Sequence, residues 1–190
     1  AMAEEAYYRG AHVAMVMGPT HLQPRVAVDA HPVETGEDML NAVTKLLRSR
    51  RYDVFVGAAA VSDFRPAQTR SQKIPSRSVE KLAVTLKPTV KIIREVKRTH
   101  KRLFIVGFKA EHGLSEEQLA RSARRSLETL PADVVIANDV GRVGVGFKSA
   151  TNKILFVDRT GRTVKVGPAL KETVAHRCWD MITPLLKRHS

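Results

Sequence analysis

The sequence has a single cysteine, few aromatic residues and no long apolar run. With Cys178 alone among 190 residues, an intrachain disulfide cannot form and a cysteine-based zinc cluster is excluded. Apolar stretches such as Val54 to Val61 fall far short of the ~20 residues that a membrane-spanning helix needs. What remains is the composition of a globular domain, with 43% hydrophobic and 27% charged residues. These values favour a globular protein of a reducing, cytoplasmic compartment with no membrane partner.

Acidic residues are scarce relative to basic ones. The 32 Lys and Arg against 19 Asp and Glu give a formal charge of +13, which suits a nucleic acid, a nucleotide or a phosphorylated substrate. Aromatic residues make up only 5% and do not interleave with the basic clusters, as a base-stacking surface would require. The clusters instead fall at the ends and outer faces of predicted helices, where cations interact favourably with the helix dipole. Nucleic-acid binding is therefore the less favoured interpretation.

Four short, continuous apolar runs predict strands buried on both faces of a parallel sheet. They are residues 13–17, 54–58, 103–108 and 133–137. Helical periodicity appears between them at 38–47, 90–97 and 115–127, and Ser115 and Gln118 have the spacing of a capping box. This alternation predicts an α/β fold with a doubly wound, mostly parallel sheet.

The two ends of the chain depart from this alternation. After residue 143 the pattern predicts an antiparallel extension with strands at 144–148, 153–158 and 163–166, then a helix over 168–187. Cys178 lies on the apolar face of that helix, where a buried hydrophobe is expected rather than a nucleophile. Residues 3–10 resemble the end of a helix that enters the first strand, and such a helix normally follows an earlier strand. We therefore expect residues 1–190 to form one domain that lacks its opening βα unit.

Candidate functional residues follow the predicted strands, because ligands bind beyond the carboxyl ends of strands in an open parallel sheet. Residues 58–60 are small enough for a ligand to approach the backbone, and Asp63 suits Mg²⁺ or a ribose hydroxyl as well as a turn. Lys73 lies in the next polar loop, where a lysine either neutralises phosphate charge or is solvated. Phe108 and Asn138 end the third and fourth strands, as a base-stacking ring and a polar amide or as ordinary turn and cap residues.

These loops resemble, block by block, the phosphopantothenate–cysteine ligases, which form the synthetase half of bifunctional coenzyme A biosynthesis flavoproteins. The matching blocks are AAAVSDFRP at 58–66, KI at 73–74, LKPTVKII at 86–93, VGFKAE at 106–111, ADVVIAND at 132–139 and GFKSATN at 146–152. They span essentially the whole chain in order, and the 86–93 block looks like the archaeal branch. The resemblance implies a Rossmann-like, homodimeric ligase that joins 4'-phosphopantothenate to cysteine through an acyl-nucleotidylate. It further implies CTP rather than ATP as co-substrate, and a fused decarboxylase flavoprotein domain as a potential partner.

The resemblance also assigns residues to the nucleotide and the substrate. Ala59 and Ala60 would present backbone groups to the base and to the acyl intermediate. Phe108 would pack at the nucleotide base, and Asn138 would line the same cleft on the substrate side.

Two further residues would face the phosphates. Asp63 would bind the triphosphate and its Mg²⁺, and Lys73 aligns with the family's catalytic-loop lysine. The later lysines of the bacterial loop are replaced here by Pro75 and Ser76, and the family's N-terminal Gly-Pro-Thr loop is not found. Two alternatives stay open at this stage: an inactive nucleotide-binding or dimerisation fragment of such a ligase, and a basic nucleic-acid-binding domain.

Overall fold

Helices and strands alternate along the chain in the structure, a computed structural model that describes residues 1–69, 72, 74, 81–141 and 149–189. The helices are α1 (Met2–Tyr8), α2 (Gly36–Ser49), α3 (Ile92–Thr99), α4 (Glu116–Thr129) and α5 (Lys171–His189). The strands are β1 (Ala14–Met17), β2 (Asp29–Pro32), β3 (Val54–Gly57), β4 (Phe64–Pro66), β5 (Leu86–Pro88), β6 (Phe104–Glu111), β7 (Val134–Asp139), β8 (Thr151–Asp158) and β9 (Thr163–Leu170).

The central sheet has the strand order β3-β6-β7-β8-β9. Strands β3, β6 and β7 are parallel, whereas β8 and β9 continue the sheet in antiparallel fashion. The predicted mostly parallel α/β sheet with a C-terminal antiparallel extension is therefore confirmed. Strand β1 pairs in parallel with β2, and β4 pairs antiparallel with β5; within the described ranges, neither pair joins the central sheet.

Apolar layers cover both faces of the central sheet. On one face, helices α2, α3 and α4 pack against β6 and β7 through residues such as Val96 and Leu119. On the other face, α5 packs through Ile182 against Phe156, and Met2 of α1 joins the same layer. Burying a side chain the size of Phe156 contributes about 1.5–3 kcal/mol. Because helices lie on both faces, the sheet is doubly wound as the alternation predicts.

Helices α2 and α4 begin where the sequence supplies a cap. The Asp38 backbone N–H donates to Thr35 Oγ1 at 3.0 Å, and the Gln118 N–H donates to Ser115 Oγ at 3.2 Å. In both helices the third helical residue returns a hydrogen bond to the cap, which completes a capping box. The box predicted at Ser115 is confirmed.

Sequence and structure differ in several short elements. The helix predicted from residue 168 begins at Lys171, because residues 163–170 remain paired with β8 as strand β9. The sequence does not predict β2, β4 or β5, which have only three or four residues and carry largely exposed side chains. The strand predicted at 144–148 lies outside the described residues.

Cys178 has the buried position that its place on the apolar face of α5 predicts. Its side chain is 1% exposed, and burial raises the pKa of the thiol to about 12. The thiol is therefore neutral at physiological pH and packs as a small hydrophobe. No helix in the described part of the chain is both long and apolar enough to cross a membrane.

Glu116, in the first turn of α4, ties that helix to the far edge of the sheet. Its carboxylate pairs with Lys153 of β8 and, at 2.8 Å, with Lys165 of β9. The hydrogen bonds from Lys153 and then Lys165 lower the pKa of Glu116 to about 2, from an ordinary 4.5. Because the folded pKa is the lower one, the stabilisation is complete above pH 4.5 and is lost as the pH falls towards 2.

We therefore expect Glu116→Gln to lower the free energy of unfolding at pH 7 and to flatten its decline between pH 4.5 and pH 2. Urea unfolding at a series of pH values measures both effects. Glu117→Gln is the matched control, because Glu117 is 87% exposed and lies 3.9 Å from its partner Arg121. Equal pH profiles for the two variants would contradict the assignment.

Candidate functional site

A large cavity lies between the β1–β2 pair and the central sheet. Its volume is about 2900 Å³, and its walls include strands β1 and β3 and the inner side of α2. The loop that follows β3 and the ring of Phe108 also line it. The cavity therefore reaches the carboxyl end of β3, the edge where ligands bind in a sheet of this type.

Ala59 and Ala60 lie in the loop after β3, where both residues are exposed and line the cavity. This loop is held from the β5–α3 turn, because the Thr89 backbone N–H donates to the Asp63 carbonyl at 2.8 Å. At its start, Gly57 is packed so closely on Ile93 that an added Cβ would lie 3.0 Å from it. Small side chains thus leave the backbone of residues 58–60 open to a ligand.

Asp63 and Lys91 form an ion pair at the same edge of the sheet. The Lys91 Nζ donates to Asp63 Oδ1, and the two side chains are 50% and 68% exposed. The hydrogen bond from Lys91, together with its charge and that of Lys109, lowers the pKa of Asp63. Asp63 is therefore an ionised, accessible carboxylate. Lys91 was not predicted as a site residue, although it lies in the LKPTVKII block, because its distance from Asp63 depends on the fold.

The mouth of the cavity carries a second accessible cation. Arg65 lines the cavity and pairs with Glu37 at the start of α2, with a separation of 3.3 Å between Nη1 and Oε2. Lys91 also lines the cavity. Both side chains are about half exposed, so each is accessible to an anion in exchange for its carboxylate.

Phe108 and Asn138 lie on neighbouring strands but in different surroundings. Phe108 is half-buried, packs against the α5-side core and contributes to the cavity wall. Asn138 is 9% exposed, and its Nδ2 donates to Asn152 Oδ1 of β8 at 3.3 Å. The structure thus brings Ala59, Ala60 and Phe108 to one cavity. Asn138 is not among the described residues that line it.

The remaining predicted residue, Lys73, lies outside the described residues. Within the described ranges, no group of three or more His, Cys, Asp or Glu side chains is placed to hold a metal ion. A single ionised carboxylate such as Asp63 nevertheless fits the way Mg²⁺ binds with nucleotides, through one or two carboxylates plus phosphate oxygens and water.

Comparison with known proteins places this site in a family. Residues 1–185 match the family described as DNA/pantothenate metabolism flavoprotein C-terminal domain. The coenzyme A biosynthesis bifunctional protein CoaBC of Thermococcus kodakarensis is 40% identical over 186 residues, which are 98% of this chain and 44% of that protein. The CoaBC protein of Methanocaldococcus jannaschii is 32% identical over 75% of this chain and 33% of its own length. The chain thus spans less than half the length of these curated relatives.

Solved structures agree with the fold. The C-terminal domain of a CoaBC protein superposes with a TM-score of 0.77 at 26% identity, covering 98% of this chain and 81% of that one. The DNA/pantothenate metabolism flavoprotein from Streptococcus pneumoniae gives a TM-score of 0.79 at 24% identity, over 97% of this chain and 86% of the other.

Proposed function

Because the chain belongs to the family of DNA/pantothenate metabolism flavoprotein C-terminal domains, we propose that it joins 4'-phosphopantothenate to cysteine with CTP as co-substrate. The observation that carries the proposal is the match to this family over residues 1–185. The cavity at the carboxyl end of β3 supports it, because open backbone, an ionised carboxylate and exchangeable cations lie together there. The same membership makes a cytoplasmic enzyme, with a decarboxylase flavoprotein domain as partner, part of the proposal.

The reaction needs an activated acid, since a carboxylate does not react with an amine at neutral pH. The carboxylate oxygen of 4'-phosphopantothenate attacks the α-phosphorus of CTP, and the bond to the β-phosphate breaks to release pyrophosphate. The cysteine amine then attacks the acyl carbon of the resulting cytidylate. The amide C–N bond forms, the nitrogen loses a proton and CMP leaves. The protein contributes positioning and stabilisation of phosphate charge.

The described residues divide this task by position. Ala59 and Ala60 offer backbone groups to the base and the acyl intermediate, and the half-buried ring of Phe108 gives the base a surface to pack on. Asn138 is proposed as a substrate residue on the family resemblance. Its bond to Asn152 gives it a fixed orientation from the neighbouring strand.

Asp63 is proposed to hold the Mg²⁺ that accompanies the triphosphate. The carboxylate is ionised and accessible, and Lys91, which now neutralises it, would be released to the phosphates when the metal arrives. The metal would supply charge neutralisation for the leaving pyrophosphate. Lys73 is proposed as the catalytic lysine of the next loop.

A homodimer is the proposed assembly. Apolar side chains are exposed on and around the β4–β5 ribbon, at 53–58% of their surface. They are Phe64, Leu82, Val84 and Leu86. Contiguous exposed apolar surface of this kind is typical of an interface. Sedimentation of the 190-residue chain tests it: a dimer is expected, and a monomer at high protein concentration would contradict it.

Pyrophosphate release tests the proposed activity. Release from CTP is expected only when both 4'-phosphopantothenate and cysteine are present, and it should be slower with ATP. The assay compares the 190-residue chain with the same chain carrying its N-terminal region. No release from either nucleotide in either form would overturn the activity, and CTP binding without turnover would identify a nucleotide-binding module instead.

We expect Asp63→Asn to weaken the Mg²⁺-dependent part of CTP binding by about 10-fold, since the neutral amide is a poor ligand for the metal. Calorimetry with CTP, with and without Mg²⁺, measures the difference. Asp180→Asn is the control, because Asp180 is also a partly exposed carboxylate with a lowered pKa, held by Arg9 at 2.8 Å away from the cavity. Retention of the full Mg²⁺ effect in Asp63→Asn would exclude Asp63 as the metal ligand.

A further inference from the structure

Strands β1 and β3 each have one edge without a neighbouring strand, and these two edges face the same cavity. All residues of both strands line it. In the described part of the chain, β1 pairs only with β2, and β3 pairs only with β6. The connection from β2 through helix α2 to β3 is of the type that joins parallel strands. Two parallel edges thus flank one open space.

The backbone hydrogen bonds identify the groups that point into this space. The carbonyls of Val13 and Met17 accept from β2, and the carbonyl of Asp53 accepts from Phe104 of β6. Because successive residues of a strand direct their N–H and C=O groups to opposite edges, the residues between these face the cavity instead. The cavity-facing residues are Ala14 and Val16 on β1, and Val54 and Val56 on β3.

The side chains around the space are under-packed. The core-forming first half of β6 is fully buried, whereas every residue of β1 and β3 is only half-buried. This corrects the prediction that both runs are buried on both faces, and its cause is the open edge of each strand. Two hydroxyls in the cavity wall, Tyr52 Oη and Thr89 Oγ1, are buried without a hydrogen-bond partner among the described residues.

The volume exceeds what a ligand alone requires. Sites for small molecules and cofactors occupy about 300–1,000 Å³. The cavity measures about 2900 Å³, so ligand-sized contents leave most of it unfilled. A parallel strand supplies the components that are lacking here: apolar side chains on both faces and backbone groups on both edges.

The handedness of the connections determines which strand fits. Helices α3 and α4 lie on one face as the chain proceeds from β3 to β6 to β7. Helix α1 lies on the opposite face, where the Trp179 Nε1–H of α5 donates to the Met2 carbonyl at 3.0 Å. A right-handed crossover on that face moves in the opposite direction across the sheet. The strand that precedes α1 therefore belongs on the β3 side of β1.

We propose that the space between β1 and β3 is a slot for one further parallel strand, supplied by polypeptide N-terminal to Ala1. Occupied, the slot joins the β1–β2 pair and the central sheet into one continuous sheet. The loop that leaves the added strand would then emerge beside residues 58–60, at the edge that carries Asp63 and Lys91.

Hydrogen exchange tests the slot without any assay of activity. The graft is the segment of about 30 residues that precedes the matched region in the Thermococcus kodakarensis relative, joined to Ala1. The amides of Ala14, Val16, Val54 and Val56 are expected to exchange at least about 100-fold more slowly in the grafted chain. A graft with proline in the middle of the added strand is the control, because proline cannot donate to the ladder. Unchanged exchange at the four amides would overturn the proposal.

Two other amide sets make the result specific. The Ala30 amide faces the outer edge of β2, since its neighbour Asp29 donates to β1. Protection at Ala30 instead of the four slot amides would place the added strand at the wrong edge and overturn the slot. In the chain without a graft, the slot amides should exchange faster than Met15 and Phe55, which face paired strands. Equal protection of both sets would also overturn it.

Discussion

Lys73→Ala is expected to lower kcat for CTP-dependent pyrophosphate release by about 100- to 1000-fold, the loss typical when a group that stabilises transition-state charge is removed. Negative charge accumulates on the leaving pyrophosphate, and a lysine that meets it there acts mainly in the transition state. The KM for CTP should therefore change less than kcat. The free energy of unfolding should stay the same, because a lysine of a polar loop contributes little to the core.

The measurement is steady-state turnover with saturating 4'-phosphopantothenate and cysteine, together with a urea unfolding curve for each variant. Lys73→Arg should keep part of the activity, since the charge remains but its geometry changes. Lys81→Ala is the matched control, because Lys81 is an exposed lysine of the same connection between β4 and β5. An unaltered rate in Lys73→Ala would remove Lys73 from the mechanism.

The parts of the fold that the sequence predicts are those determined by local pattern. The runs that became β6 and β7 are continuous and apolar because both faces of these strands are buried, and burial on both faces leaves no polar positions. The cap at Ser115 was equally visible, because a capping box depends on residues three apart in the chain. The C-terminal strands were predicted for a related reason, since their alternation reflects one buried face.

The missed parts depend on contacts between distant segments. The pairing of Asp63 with Lys91 joins residues 28 positions apart, and the bond from Asn138 to Asn152 joins neighbouring strands. No local periodicity encodes either distance. The short ribbon of β4 and β5 gave no signal because its residues are exposed, so apolar alternation is not required there. The resemblance identified Asp63 and Asn138 as site residues, but it did not identify what holds them.

Gly167 on β9 controls the position of Asn152 and thereby of Asn138. Its φ of +89° lies in the region that residues with a Cβ rarely adopt. A Cβ at this position would collide with the Asn152 carbonyl and would lie 3.2 Å from Lys153 Cα. The pairing of β8 with β9 shifts register between Asn152 and Ile154, so the strands already approach irregularly here.

We expect Gly167→Ala to lower the free energy of unfolding by about 3 kcal/mol or more, because backbone strain and a clash with rigid backbone add together. Gly161→Ala separates the two contributions. Its φ is +86°, but no heavy atom lies within 4 Å of the added Cβ, so we expect a loss of only about 1 kcal/mol. Urea unfolding measures both, and the Asn138 side-chain amide resonance should shift in Gly167→Ala alone. Equal losses in the two variants would mean that β8 yields to the added methyl group, and Gly167 would then have no role in positioning Asn138.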